Sequence, residues 1–138
     1  MNFSDQIPIR VRYGETDQMG VVHHGNYALY LEMGRTEWMR KIGISYNEME
    51  KNGVMLPVIS MSLNYKKPAH YDDVIQVKTR LKKTPSVRIE FDYEITNSEG
   101  HILATAHTVL VFVDMSSKRP VKCPDYVMEL LESFNRAL

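Results

Sequence analysis

From residue 15 to residue 27 the chain reads Glu15-Thr16-Asp17-Gln18-Met19-Gly20-Val21-Val22-His23-His24-Gly25-Asn26-Tyr27, an acidic, glycine-containing turn that runs directly into a predicted helix. The first backbone N–H groups of a helix have no partner within the helix, and they lie at the positive end of its dipole. Such amides can bind a carbonyl oxygen that gains negative charge during a reaction. The stretch therefore places one carboxylate, Asp17, beside a candidate oxyanion site.

The segment that follows predicts one long helix, from about Asn26 to Ile42. Apolar or small residues recur on one stripe at spacings of three and four, namely Tyr27, Leu31, Gly34, Trp38 and Ile42. Glu37 and Lys41 are spaced for an ion pair on the exposed side, and Gly43 is suited to end the helix. Because Gly34 lies in the buried stripe, we expect the helix and a sheet to approach closely there.

After Val54 the apolar residues recur with a period of two, which is typical of strands with one buried and one exposed face. Three such runs occur, at 59–65, 75–81 and 87–95, and an alternating run at 7–13 predicts an earlier strand. The stretch 102–113 is apolar on both sides and predicts a strand covered on both faces. A short helix after Ser45 and another from about Asp125 to Phe134 complete the pattern.

These elements predict an α+β fold in a single domain, 1–138. An antiparallel sheet of about five strands should curve around the long helix, because nothing else in the chain can cover its apolar face. A sheet of this kind has open edges and an incompletely covered surface. We therefore expect a homo-oligomer.

The composition argues against several classes of function. With Lys+Arg 17 and Asp+Glu 17 the formal net charge is 0, so no overall field attracts nucleic acid or an anionic membrane. The single cysteine, Cys123, cannot form an intrachain disulfide, and no residues have the spacing of a zinc site. The first residues lack the order of a secretion signal, and no segment has the ~20 apolar residues of a membrane span. We expect a cytoplasmic protein that binds neither nucleic acid nor membrane.

With its elements in this order, the chain resembles the hotdog-fold acyl-CoA thioesterases. It is most similar to the branch that contains 4-hydroxybenzoyl-CoA thioesterase and the thioesterases associated with the bacterial Tol–Pal cluster. The residues that carry the resemblance are 12–27, then Tyr30-Leu31-Glu32 and Arg35 on the helix, and more weakly 68–74. The resemblance implies a hotdog fold that acts as a homodimer or homotetramer. It implies hydrolysis of a CoA thioester to the free acid and CoA, with no metal and no cofactor other than the coenzyme A of the substrate.

The resemblance assigns the catalytic role to Asp17, as a nucleophile or as a general base on water. It assigns the backbone N–H of His24, with Gly25 beside it, to the oxyanion site. A thiolate leaves readily without an acid, so one carboxylate and one oxyanion site are sufficient chemistry. Considered without the resemblance, Asp17 is interpreted as an aspartate that caps a turn.

Three further residues are candidates for contacts with the substrate. Asn26 is also suited to cap the helix and so to fix the direction of its amides. Tyr27 is suited either to packing in the core or to contacting the acyl group of the substrate. Glu32 occupies the position at which an aspartate of the hydroxybenzoyl-CoA branch contacts the substrate's phenol, or it pairs with Arg35 one turn along the helix. The change to glutamate weakens the expectation of a hydroxyaryl substrate.

Other side chains leave alternatives open. His23 and His24 lack the spacing of metal ligands, and we expect the His24 imidazole to line the pocket or to contact Asp17. Lysine or arginine at 66–67, 82–83, 88 and 118–119 are candidates for the phosphates of coenzyme A, and the sequence does not choose among them. Two other functions fit the same fold: an acyl-ACP thioesterase, which would act on acyl carrier protein, and a non-catalytic protein that binds acyl-CoA or serves as a scaffold.

Overall fold

The structure is a computed structural model and describes residues 3–137, in which three helices and seven strands occur. The strands are β1 (Ser4–Arg10), β2 (Val54–Met55), β3 (Val58–Tyr65), β4 (Val74–Leu81), β5 (Arg88–Thr96), β6 (Ile102–Val111) and β7 (Val113–Asp114). The helices are α1 (Tyr27–Lys41), α2 (Tyr46–Lys51) and α3 (Asp125–Ala137). Two short 3₁₀ turns, Tyr13–Glu15 and His24–Asn26, lie between β1 and α1. These elements follow one another in the predicted order.

Five strands form one antiparallel sheet in the order β1-β4-β5-β6-β3, so β1 and β3 are its edges. β2 and β7 form a separate two-stranded ladder. Along β4 and β5 every second side chain is buried, which is the predicted alternation. β6 is buried over most of its length and pairs on both sides, as its apolar composition predicts. The predicted α+β architecture is therefore confirmed.

The long helix α1 lies against the inner face of this sheet, on the side of β1 and β4. All five residues of the predicted stripe are buried, from Tyr27 to Ile42. Gly43 follows with φ +95°, a left-handed conformation that favours glycine and ends the helix. The predicted pair of Glu37 with Lys41 is wrong: Glu37 pairs with Arg40, and Lys41 reaches across to the buried Asp5 of β1.

Gly34 marks the closest approach of α1 to β4. A Cβ at this position would lie 2.7 Å from Thr79 Oγ1 and 2.7 Å from Val77 Cγ1, both on the inner face of the strand. Real Cβ atoms do not come so close to other heavy atoms, so these side chains or the backbone that carries them would have to shift. The predicted reason for a glycine in the buried stripe, close packing against the sheet, is confirmed.

We expect Gly34→Ala to destabilise the fold. Overpacking a core costs about 1–3 kcal/mol, and the better helix propensity of alanine offsets about 1 kcal/mol of this. The net loss should be on the order of 1 kcal/mol, and at most about 2 kcal/mol, in a urea titration. Gly14→Ala is the matched control, because a Cβ at Gly14 meets nothing within 4 Å. A Gly34→Ala chain as stable as wild type would show that the contact relaxes without cost.

The edge strand β3 differs from its prediction. Its alternating pattern predicts one buried face, but Ile59 is 50 % exposed, Met61 46 % and Tyr65 51 %, and Leu63 is only half-buried. The reason is that α1 covers the β1 side of the sheet and leaves the inner face of β3 bare. β3 therefore carries an apolar face that nothing within residues 3–137 covers.

The shorter helices begin and end as their sequences indicate. Ser45 Oγ accepts a hydrogen bond from the Glu48 N–H at 3.1 Å and caps α2, and Gly53 follows the helix with φ +84°. α3 buries Val127 and Leu131 against the core. Across the described part of the chain, no helix combines the length and the apolar character that crossing a bilayer requires.

Cys123 lies at the entry to α3 and is buried among core residues. This agrees with its interpretation as a packing residue of a loop. Burial, with a smaller effect from the nearby Asp125, raises the pKa of its thiol to about 12. The side chain is therefore a protonated thiol at neutral pH.

Candidate active site

The loop that precedes α1 is built around a tight turn at 17–20. Gly20 adopts φ +77°, and its N–H donates to Asp17 O at 3.0 Å. The Asp17 side chain also takes part, because Oδ1 accepts a hydrogen bond from the Met19 N–H at 2.8 Å. Asp17 is half-buried, and Oδ2 has no hydrogen-bond partner within residues 3–137. One oxygen of the carboxylate therefore caps the turn, and the other makes no hydrogen bond within the described residues.

Glu15 holds this loop to the helix, a role that the sequence analysis did not identify. Its buried carboxylate accepts hydrogen bonds from Tyr30 Oη at 2.9 Å and from the Arg12 N–H at 2.8 Å, and Arg12 Nη2 lies 2.9 Å from Oε2. Burial alone would raise the pKa of Glu15, but these hydrogen bonds outweigh it and lower the pKa. The carboxylate is thus ionised and fully engaged. No spacing in the sequence predicts this contact, because Glu15 lies in the loop and Tyr30 in the helix.

The backbone of Glu15 fixes the start of α1 as well. Its carbonyl oxygen accepts from the His23 N–H at 2.9 Å and from Asn26 Nδ2 at 2.9 Å. Asn26 stands at the N-cap position, but its side chain makes no capping hydrogen bond. The predicted side-chain cap is therefore wrong. Asn26 instead ties the first turn of the helix to the preceding loop.

The two amides of the predicted oxyanion site have different environments. The Gly25 N–H donates to His23 Nδ1 at 3.1 Å and is therefore occupied. The His24 N–H has no hydrogen-bond acceptor among the described residues. The His24 carbonyl accepts from Tyr65 Oη at 3.3 Å, which links the start of α1 to the end of β3. Of the two predicted amides, that of His24 is the one left without an acceptor in this part of the chain.

An open cleft of ≈ 280 Å³ lies at this junction. Its walls come from the start of α1 and the end of β3: Val22, His24, Tyr27, Tyr65, Lys66, Lys67 and Pro68. The rings of Tyr27 and Tyr65 meet edge to face, with centroids 5.1 Å apart. The backbone N–H groups of Lys66 and Lys67 both donate to Leu103 O, which fixes the two lysines at the cleft. The cleft thus combines an aromatic floor with two cations.

The structure brings together some of the predicted site residues and separates others. His24 and Tyr27 line the cleft, and Gly25 and Asn26 lie between them in the chain. Asp17 is not among the lining residues, but the Thr16–Val22 bridge places its turn directly beside the cleft wall. Glu32 is exposed and lies in a different groove, with Ile7 and Met33. Within a single chain, Glu32 therefore does not line this cleft.

Arg35 does not pair with Glu32. It is only 6 % exposed, and it donates hydrogen bonds to Tyr46 Oη at 3.0 Å and to Tyr93 Oη at 3.1 Å. Burial alone would lower the pKa of Arg35, but the two phenols outweigh it and raise the pKa. Tyr93 Oη also lies 2.7 Å from Thr108 Oγ1. This buried network joins α1, α2 and the neighbouring strands β5 and β6.

A family model described as "Thioesterase-like superfamily" matches residues 11–131, and the chain belongs to this family. Among curated relatives, YneP of Bacillus subtilis (strain 168), provisionally named an acyl-CoA thioesterase, is 39% identical over 83% of this chain and 83% of its own length. The acyl-CoA thioester hydrolase YbgC of Escherichia coli O157:H7 is 31% identical over 88% of this chain and 90% of its own. These findings confirm the predicted family and the predicted class of enzyme, a thioester hydrolase.

Solved structures confirm the hotdog fold. The DHNA-CoA thioesterase of Staphylococcus aureus superimposes with a TM-score of 0.88 at 35% identity, over 97% of this chain and 90% of that one. A 4-hydroxybenzoyl-CoA thioesterase with an aspartate replaced by asparagine, in complex with 4-hydroxybenzoyl-CoA, superimposes with a TM-score of 0.83 at 20% identity. That likeness covers 92% of this chain and 97% of the other, and it concerns the fold alone.

Proposed function

We propose that this protein hydrolyses acyl-CoA thioesters to the free acid and CoA in the cleft at the start of α1. One observation carries the proposal: the His24 N–H is unpartnered within residues 3–137, and His24 lines a cleft that also holds two lysines. The turn of the half-buried Asp17 adjoins the same wall. The names of the relatives support acyl-CoA as the substrate class.

The proposed reaction uses two groups of the chain. The acyl carbonyl oxygen accepts a hydrogen bond from the His24 N–H and gains negative charge as the acyl carbon becomes tetrahedral. Asp17 takes a proton from a water molecule whose oxygen bonds to that carbon. The C–S bond then breaks, and CoA leaves as a thiolate, which takes up the proton that Asp17 holds. In the covalent alternative the Asp17 carboxylate attacks, the thiolate leaves, and water cleaves the mixed anhydride.

A single turnover in ¹⁸O water tests the covalent alternative. Water that attacks the aspartyl carbon of the anhydride leaves its label in the Asp17 carboxyl group, which mass spectrometry of the Asp17 peptide would detect. In the general-base route the label enters only the released acid. Either route keeps the same roles for His24 and for the cleft.

We infer that the cleft is completed in a homodimer through the edge strand β3. The bare inner face of β3 and its unpaired backbone edge are features that soluble proteins normally cover. Tyr65, at the end of this strand, lies in the cleft wall, so a second chain seated on β3 would close the cleft. Tyr27 then contributes acyl contact from the floor. Asn26 acts indirectly, because its side chain ties the loop to the start of α1. Glu32 would contact only a substrate bound in the cleft of the partner chain.

The two lysines of the cleft are proposed to bind the phosphates of coenzyme A. Of the basic residues that the sequence leaves open, Lys66 and Lys67 are the pair that lines this cleft. We expect Lys66→Glu with Lys67→Glu to raise KM for an acyl-CoA by at least about tenfold, because losing even one charge-assisted hydrogen bond costs ~1.5–3 kcal/mol. KM for the corresponding N-acetylcysteamine thioester, which lacks phosphates, should stay within about twofold.

Lys118→Glu with Arg119→Glu makes the same change of charge on an exposed turn that does not line the cleft, and it is the matched control. Its KM for acyl-CoA should equal that of the wild type. An equal rise in KM for both thioesters in the Lys66 and Lys67 variant would assign the effect to a change of shape rather than to phosphate.

A thiol-release assay tests the function as a whole. Acetyl-, octanoyl-, palmitoyl- and benzoyl-CoA are offered in turn, with release of CoA measured against an Asp17→Asn control. Turnover of at least one ester supports the proposal. Tight binding of acyl-CoA without thiol release would favour the non-catalytic alternative, and faster turnover of acyl carrier protein esters would favour the acyl-ACP alternative. The cytoplasmic location stays a prediction.

A further inference from the structure

The imidazole of His23 is bonded to the loop that carries the proposed oxyanion site. Its Nδ1 accepts the hydrogen bond of the Gly25 N–H at 3.1 Å. The ring also lies beside that of His24, with centroids 4.3 Å apart and planes inclined by 31°. An imidazole accepts at Nδ1 only in the neutral form that carries its proton on Nε2. His23 is therefore held as this tautomer for as long as the bond is made.

Gly25 and His23 are fitted to each other. A Cβ on residue 25 would lie 3.2 Å from His23 Nδ1 and 3.3 Å from Cε1. These contacts are tighter than side chains ordinarily make, so a larger residue would push the ring away from the amide. The absence of a side chain at Gly25 lets the imidazole reach the backbone N–H.

Two hydrogen bonds hold the backbone of His23, on either side of its Cα. The His23 N–H donates to Glu15 O at 2.9 Å, and the His23 carbonyl accepts from the Asn26 N–H at 3.0 Å. With the Gly25 N–H occupied by the imidazole, the His24 N–H is the one amide of residues 23–26 that lacks an acceptor in the described chain. Its direction is set by these surrounding hydrogen bonds.

We propose that His23 is a positioning residue for thioester hydrolysis. By holding the Gly25 amide, its neutral imidazole keeps the turn 24–26 in one conformation and presents the His24 N–H as the single oxyanion donor. The inference rests on the proposed function of the cleft. Preorganised donors accelerate a reaction because they need no reorientation as charge develops. A turn that loses this bond leaves the Gly25 amide without a partner, and the direction of the His24 amide is then held only by the hydrogen bond between the His23 carbonyl and the Asn26 N–H.

Two substitutions distinguish the effect of the hydrogen-bond acceptor of His23 from the effect of its aromatic ring. His23→Phe keeps an aromatic ring beside His24 but has no acceptor. His23→Asn removes the ring but restores an acceptor, because an asparagine side chain readily accepts from the N–H two residues along the chain. Loss of a whole oxyanion donor costs ~10²–10³-fold in kcat, so misdirection of one should cost about 10–100-fold. We expect this fall in kcat for His23→Phe, with KM within about twofold of the wild-type value. For His23→Asn we expect kcat to recover to within about threefold of the wild-type value.

Polarisation of the bound carbonyl gives a readout that does not depend on turnover. In an Asp17→Asn background, the fastest thioester of the four-ester panel carries ¹³C at its carbonyl, and isotope-edited infrared spectroscopy records its stretching frequency. We expect a lower frequency on the protein than in water, a smaller shift with His23→Phe added, and recovery with His23→Asn. His23→Ala replaces His23→Phe if the latter does not fold by circular dichroism.

The outcomes distinguish the two proposals. If the bound carbonyl shows no shift in Asp17→Asn alone, the oxyanion site of the proposed function is overturned. A full shift in Asp17→Asn that is unchanged by His23→Phe overturns only the role of His23. An equal loss of kcat in His23→Phe and His23→Asn also overturns it, because the ring rather than the acceptor would then matter.

Discussion

Asp17→Asn is expected to lower kcat by about 1,000-fold while the fold and the binding of acyl-CoA are retained, because general base catalysis contributes ~10²–10⁴-fold. Asparagine is the informative replacement here. Its Oδ1 can still accept the hydrogen bond that Asp17 Oδ1 accepts from the Met19 N–H at 2.8 Å, so the turn is preserved. The change removes the charge and the basicity alone. Thiol release measures kcat, and calorimetric titration with acyl-CoA measures binding.

Asp114→Asn is the matched control for this experiment. Asp114 also caps a turn, with Oδ2 accepting from the Ser117 N–H at 2.7 Å, and it does not line the cleft. Its kcat should lie within about twofold of wild type, as for most changes remote from a site. If Asp17→Asn kept activity within a few-fold of wild type, Asp17 would be only a turn-capping residue and the proposed mechanism would fail.

Ile59→Glu with Met61→Glu is expected to give a monomeric, folded chain with less than one hundredth of the wild-type kcat/KM. Both side chains are about half exposed on the edge strand β3, and in the proposed dimer they would place four new carboxylates along one seam. Burying unpaired charges is far more costly than the apolar contacts they replace. Light scattering would measure the mass, circular dichroism the fold, and thiol release the activity.

Ile102→Glu tests whether any new charge on an exposed apolar side chain has the same effect. Ile102 is 41 % exposed, close to the 46 % of Met61, but it lies at the start of β6 and not on the edge strand. This variant should remain a dimer with full activity. A monomer of the β3 variant that hydrolyses acyl-CoA at the wild-type rate would show that one chain forms the whole site.

The regular elements could be predicted from sequence because each has its own period. Spacings of three and four placed α1 within one residue of its observed ends, and alternation placed β4 and β5. The stripe of α1 also contained the information that was missed. Arg35 is four residues after Leu31 and three before Trp38, so it lies on the buried face, yet its charge suggested an exposed ion pair. The phenols that make its burial tolerable are Tyr46 and Tyr93, which lie on other elements of the fold.

The candidate site was less predictable because its parts depend on tertiary contacts. The resemblance pointed to His24 and Gly25 together, and the structure distinguishes them through the bond between Gly25 and His23. The basic pair in the cleft could not be chosen from the sequence, since Lys66 and His24 are 42 residues apart and line one cleft only in the folded chain. The exposure of β3 has a different cause. The alternating apolar residues of this strand form an apolar face as predicted, but no other element in the described part of this chain covers that face.

The buried Cys123 has a consequence for a hydrolase that liberates a thiol. A cysteine reacts with disulfides and with aromatic disulfide reagents through its thiolate, and the raised pKa of about 12 keeps this one protonated. It is the only cysteine of the chain. Mixed disulfides between the enzyme and oxidised coenzyme A should therefore not accumulate, and colorimetric reagents for free sulfhydryls should register the product rather than the catalyst.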